Sequence, residues 1–188
     1  LAGSLLSWIT ILVYRWVSVP ALVIRGWLGT GGTSYDLIFG YDATAWHFLF
    51  CCASILMAIM LTAPVRITSS QRSTEWALDL MLGILAMFPI LSQNPLSLIL
   101  SWTLLDVIEI VFHLRLSGEE LLNRQAIMAF AARLAGTFVM YWAFLSSQFT
   151  VGSGMDFSSI EAGNGLLFLL AAGLRLGVFP VLVPFSRE

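Results

Sequence analysis

The stretch Asn164–Phe185, NGLLFLLAAGLRLGVFPVLVPF, decides the class of fold, because it is long and apolar enough to cross a bilayer yet carries Arg175 near its centre. No other charge lies within the ten residues before Arg175 or the nine after it. A cation at that depth costs about 2.5–3.5 kcal/mol on insertion scales, so it is usually paired and usually functional. Phe179-Pro180 follows, where a proline interrupts the backbone hydrogen-bond ladder. A buried cation beside a helix break suits an ion path better than a simple anchor.

The whole chain shares this character. It is 59% hydrophobic and 11% charged, against about 25% charged in soluble domains. Such a chain lacks the polar surface to stay in water and reads as an integral membrane protein. All nine cations are arginine. A net charge of −2 without a basic cluster argues against nucleic acid as a partner. The sequence opens on Leu1 with no positive run before its first apolar segment, so a retained signal peptide is not expected. Cys51 and Cys52 are adjacent in an apolar stretch and are expected to be buried packing residues without metal spacing.

A spanning helix needs about 20 mainly apolar residues. Six segments qualify, at about 4–24, 43–63, 76–93, 96–114, 125–148 and 164–184. The first is interrupted by Arg15 and Pro20, and Asn94-Pro95 stops the third and starts the fourth. Arginine placement orients the layout. Arg66, Arg72, Arg115, Arg124 and Arg187 follow the even-numbered spans, whereas only Arg25 lies in the loops after the odd ones. By the positive-inside rule the first group faces the cytoplasm or its organellar equivalent. The expected fold is therefore all-α, a polytopic transmembrane bundle of about six spans forming one domain over residues 1–188, its sixth helix broken at Pro180.

The fourth span carries a second informative pattern. Trp102, Asp106, Glu109 and His113 are spaced by four, three and four residues, which places them on one helical face. Asp106 lies near mid-span, and Glu109 and His113 continue toward the arginine-rich side. Arg133 enters the fifth span from that same side, so its depth suits Glu109, while that of Arg175 suits Asp106. Gly173 and Gly177 flank Arg175 at a small-xxx-small spacing that admits a close neighbour helix. Two readings of these charges stand. They are either structural ion pairs that fix helix packing, or a row of acid, base and imidazole groups that passes protons or cations through the bilayer.

Other features carry less. Asp42 and His47 suit interfacial anchoring. Trp46, Trp76, Tyr141 and Trp142 suit aromatic belts or helix contacts. The glycines of Gly29–Gly32 form a loop with no strand expected before them, so no phosphate cradle is expected. The sequence contains no hydrolase triad, zinc spacing, P-loop or haem motif, and no redox cofactor or small-molecule substrate is expected on this chain.

Three stretches carry a family resemblance: Leu37–Met60, LIFGYDATAWHFLFCCASILMAIM; Pro95–His113, PLSLILSWTLLDVIEIVFH; and Leu166–Pro184, LLFLLAAGLRLGVFPVLVP. Together they resemble the antiporter-like membrane subunits of respiratory complex I and the related multisubunit cation/proton antiporters. The second is similar to the family's helix with a Trp-Glu pair. The third is similar to its broken helix, which carries a central Lys and a downstream Phe-Pro-x-His-x-Trp. The turn Glu120–Arg124 resembles the family's Glu-x-x-x-Lys. On this resemblance Arg175 stands at the position of the coupling lysine. Thr103 stands where the pair's Glu would follow Trp102, and Leu182 stands for the downstream His. Arginine holds its proton far more tightly than lysine, which turns a proton carrier into a fixed charge.

The resemblance implies a subunit of a complex I-type assembly in an energy-transducing membrane, either mitochondrial inner or bacterial plasma membrane. It would carry or support proton translocation coupled to quinone reduction elsewhere, with other membrane subunits and lipids as partners. The candidate path is Asp106, Glu109, His113, Arg133 and Arg175, with the helix break at Pro180. The departures favour a different class, a non-pumping structural subunit with a degenerate antiporter fold. An independent secondary transporter, which also uses broken helices, is a third reading.

Overall fold

Arg15 and Pro20 govern how the chain begins. The segment predicted as a span over 4–24 is not one continuous helix. Helix α1 covers only Ala2–Val13, and the backbone then tightens, with Arg15 N bonding Leu12 O at 3.2 Å and Trp16 N bonding Val13 O at 3.0 Å. Pro20 can neither donate to a helical carbonyl nor leave Val19 in helical conformation. The carbonyls left at the end of α1 still find partners. Tyr14 N reaches Thr10 O at 3.0 Å, and the Trp46 indole N–H reaches Ile11 O at 3.0 Å. The Arg15 guanidinium sits 5.2 Å from the centre of the Trp46 ring.

The computed structural model describes residues 2–17, 19–28, 35–66, 72–116, 120–151, 157 and 162–176. Pro180 with Phe179, as well as Gly177, Leu182, Arg187 and the Gly29–Ser34 loop, lie outside the described residues. The chain divides into two compact units, Leu1–Gln93 and Asn94–Glu188.

In the first unit a strand does precede the glycine loop, contrary to expectation. β1 (Leu22–Leu28) pairs antiparallel with β2 (Tyr35–Phe39), in the register Leu22 to Phe39 and Ile24 to Leu37. A short apolar run rich in β-branched residues is equally compatible with helix or strand by pattern alone. The register shifts between Ile24 and Leu28. There Gly26 takes a left-handed φ of 69°, and its N–H bonds Asp36 Oδ1 at 2.9 Å. The next described element in the chain is the strand β2 rather than a helix.

Helix α2 (Ala43–Arg66) is capped by Asp42, whose Oδ1 accepts Ala45 N at 2.5 Å. It packs on α1, α3 (Arg72–Leu85) and α4 (Met87–Leu91) around Ile11, Leu49, Ala53, Leu56, Met60 and Met87. The predicted 76–93 span is divided at Ala86. Pro89 lacks the N–H for Leu85 O, and its ring would crowd that carbonyl. Cys52 is half-buried but Cys51 is exposed, since the two lie 100° apart around one helix and only one can face the core. Trp46 stacks on Phe50, with centroids 5.3 Å apart. His47 is exposed and contacts Ala43 O through Nδ1 at 2.8 Å.

The second unit is a layer of three helices: α5 (Pro95–Leu116), α6 (Glu120–Val151) and α7 (Gly165–Arg175), the last preceded by a 3-10 turn at Ala162–Asn164. Asn94 is buried and caps α5, its Oδ1 accepting Ser97 N at 2.8 Å. Pro95 occupies the first helical position, where no N–H is needed. Ile99, Met140 and Ala171 form the apolar core with Trp102, Val139 and Phe168 packed on it.

The chain is mostly helical, with the hairpin as the exception. Among the described residues, three helical stretches are long and apolar enough to cross a membrane: Ala43–Thr62, Pro95–Arg115 and Asn123–Ser147. Ala2–Val13 and Gly165–Arg175 are shorter apolar helices, and Trp76–Leu91 is a shorter apolar helical stretch shared by α3 and α4.

Candidate functional site

The site is assembled from one face of α5 with one residue pair from α6 and the last turn of α7. The spacing along α5 sets Trp102, Asp106 and Glu109 in line, one turn apart. On α6, Arg133 and Thr137 repeat the same one-turn spacing. Arg175 comes from α7, beside Gly136 of α6. A Cβ built on Gly136 would lie 2.9 Å from Ala171 O and 3.2 Å from Arg175 N. Only glycine therefore allows the α6 and α7 backbones to approach this closely.

Four of the five sequence-predicted path residues meet here. Arg175 Nη1 lies 2.8 Å from Asp106 Oδ2. The other oxygen of Asp106, Oδ1, lies 3.5 Å from Arg133 Nη1. Arg133 in turn grips Glu109 with both terminal nitrogens, through Nη2 to Oε1 at 2.9 Å and Nη1 to Oε2. The result is a chain of alternating sign: Arg175, Asp106, Arg133, Glu109. It is neutral as a set, which is the condition for holding charge away from water. Side-chain exposure is lowest at Asp106, 3%, and is 13% at Arg175, 31% at Arg133 and 40% at Glu109. Glu109 is thus the open end of the chain and Asp106 its most enclosed member.

His113 is not part of it. It lies one turn beyond Glu109 on α5 and is exposed. Thr103, at the position of the family's glutamate, donates its hydroxyl to Ile99 O at 2.7 Å, a local backbone contact.

Two participants were not singled out as site residues by sequence. Thr137 is buried. Its hydroxyl oxygen accepts Arg175 Nη1 at 2.9 Å while its proton goes to Arg133 O at 3.0 Å. Trp102 lies under Arg175, with the guanidinium carbon 4.5 Å from the ring centre. The one-turn step from Arg133 to Thr137 and the small pair Ala132 and Gly136 were the signals available. Among the described residues no cluster of three or more His, Cys, Asp or Glu could hold a metal ion.

No family model matches the sequence, and no curated protein matches it. Among solved structures, the chain is similar in fold to a chain of the membrane-bound sulfane sulfur reductase (MBS), an archaeal respiratory membrane complex. The TM-score is 0.62 at 18% sequence identity, over 94% of this chain. This chain spans only 28% of the length of that one. The likeness is one of fold: a helical membrane architecture shared with a component of a respiratory membrane assembly.

Proposed function

We propose that this chain is an antiporter-like membrane subunit of a complex I-type respiratory assembly in an energy-transducing membrane. The chain Arg175–Asp106–Arg133–Glu109 carries or supports proton translocation, coupled to quinone reduction elsewhere in the complex, and His113 stands at its inner mouth. The single observation behind this reading is the alternating charge chain set inside three apolar helices. Apolar side chains of similar volume would hold such helices together equally well or better, so packing alone gives no reason for four charges there. The fold likeness to a chain of an archaeal respiratory membrane complex supports the setting. In this reading the bundle crosses the membrane about six times, the shorter apolar helices adding crossings to the three long ones. Its partners are other membrane subunits and lipids. Redox cofactors sit on other subunits.

Two observations favour a second reading, a non-pumping structural subunit. Both arginines are already neutralised within the chain, and Thr103 occupies the position of the family's acid. The charge-balanced pair Asp106→Asn with Arg175→Gln separates the readings, because it leaves no unpaired charge. The complex carrying it is reconstituted in vesicles, and quinone reduction and proton uptake are measured together. Translocation through this site requires that uptake fall while assembly and quinone reduction persist. Unchanged uptake per electron supports the structural role.

A further inference from the structure

The two arginines are held in different ways. Arg175 meets Asp106 Oδ2 at 2.8 Å and Thr137 Oγ1 at 2.9 Å, both through Nη1, so both protons of that nitrogen have acceptors. Its guanidinium lies over the Trp102 ring at 4.5 Å. The backbone carrying it is seated against Gly136, adjacent to Thr137 in sequence. The side chain is 13% exposed. Arg133 is 31% exposed and shares one nitrogen between two carboxylates, bonding Glu109 firmly and reaching Asp106 only at 3.5 Å. That contact is longer than the usual range of about 2.7–3.2 Å for such bonds.

We infer that Thr137 is a positioning residue that locks Arg175 onto Asp106, leaving Arg133 as the cation that moves between Asp106 and Glu109. Thr137 suits this task for two reasons. Its own proton is committed to Arg133 O one turn back, so its oxygen lone pairs point toward Arg175 and the hydroxyl does not rotate away. It is also buried, so no water replaces it as acceptor. Trp102 closes the opposite side of the guanidinium, and the ring quadrupole favours the charge remaining there. Arg133 is held by Glu109 through both terminal nitrogens, on the more exposed side of the site, and its second partner Asp106 lies at 3.5 Å. Sliding its shared nitrogen by about an ångström exchanges a bond to Glu109 for a shorter one to Asp106.

This assignment refines the role of the proposed charge path, but its test reads guanidinium reactivity and so stands apart from transport. The full chain in its purified membrane complex is treated with phenylglyoxal, which modifies accessible guanidinium groups, and modification of each arginine is followed by mass spectrometry. Arg133, 31% exposed against 13% for Arg175, is expected to react roughly twofold faster, in proportion to its greater accessibility. Thr137→Val keeps the shape and removes the hydroxyl, and is expected to raise the Arg175 rate toward that of Arg133. Thr137→Ser restores the hydroxyl and should restore protection, which a purely volumetric role for Thr137 would not produce. Equal rates at Arg133 and Arg175 in the unmodified protein overturn the inference. So does a Thr137→Val variant in which Arg175 remains as protected as before.

Discussion

Asp106 on α5 faces Arg133 on α6 and gives it Oδ1, at 3.5 Å, while Oδ2 is held by Arg175 at 2.8 Å. Asp106 is thus the shared anion of two cations from two different helices. The energetic weight of the site rests on a side chain that is 3% exposed.

Asp106→Asn leaves two guanidinium groups facing one neutral amide. Removing one member of a buried ion pair typically costs about 3–5 kcal/mol. A drop in thermal unfolding temperature of the detergent-solubilised protein is expected. Adding Arg175→Gln should recover part of it, because the double variant is again neutral. If the two losses simply add, the residues are not coupled.

Glu109→Gln is expected to cost less than Asp106→Asn, since the Glu109 side chain is 40% exposed and Arg133 retains Asp106 as a partner. The comparison is made on the two single variants under the same detergent and salt. A larger loss at Glu109 would place the energetic centre of the cluster at its open end.

Gly136→Ala pushes a methyl group against Ala171 O, a backbone atom that cannot rotate away. Overpacking of this kind costs about 1–3 kcal/mol, and it also separates Thr137 from Arg175. Phenylglyoxal reactivity at Arg175 should rise together with the loss of stability. Ala131→Val, on an exposed stretch of the same helix, serves as the control that changes neither.

Asn94→Ala removes the side-chain oxygen that caps α5 through Ser97 N. Caps of this type are worth about 0.5–2 kcal/mol. Asn94→Ser, which can cap in the same way, should retain more stability than Asn94→Ala. Unfolding temperatures of the three proteins decide it, and identical behaviour of Ala and Ser would remove the cap from the account.

Gly26→Ala introduces a side chain at a left-handed φ of 69° in the hairpin. The conformation costs an L-residue roughly 1–2 kcal/mol. Hydrogen exchange over Leu22–Phe39 should accelerate while exchange in α5 and α6 stays unchanged.

Much of this protein is written locally. The apolar stretches that became α2, α5 and α6 are recognisable from length alone, because a bilayer-length helix satisfies its own backbone and needs no other segment to define it. The alignment of Trp102, Asp106 and Glu109 is equally local, a consequence of 3.6 residues per turn within α5. Asn94-Pro95 announces the start of that helix for the same reason. Pro20 and Arg15 interrupt the first apolar segment, yet by length it still reads as a span, and nothing local shows that Leu22–Leu28 becomes a strand. A short apolar run takes the structure its pairing partner offers, and β2 lies beyond a loop.

The tertiary structure decided what periodicity cannot encode, namely which helical faces meet and how closely. Depth along each helix matched Arg175 to Asp106 and Arg133 to Glu109, but it could not show that Arg133 also reaches Asp106. That bridge depends on the separation and rotation of α5 and α6 as packed bodies. Nor could spacing identify Thr137 as the second acceptor of Arg175, since one missing Cβ at Gly136 sets that distance across the α6–α7 contact. Local sequence places charged groups inside apolar helices and aligns those of α5 on one face. Only packing between helices joined them into one chain in which Asp106 is shared by two cations.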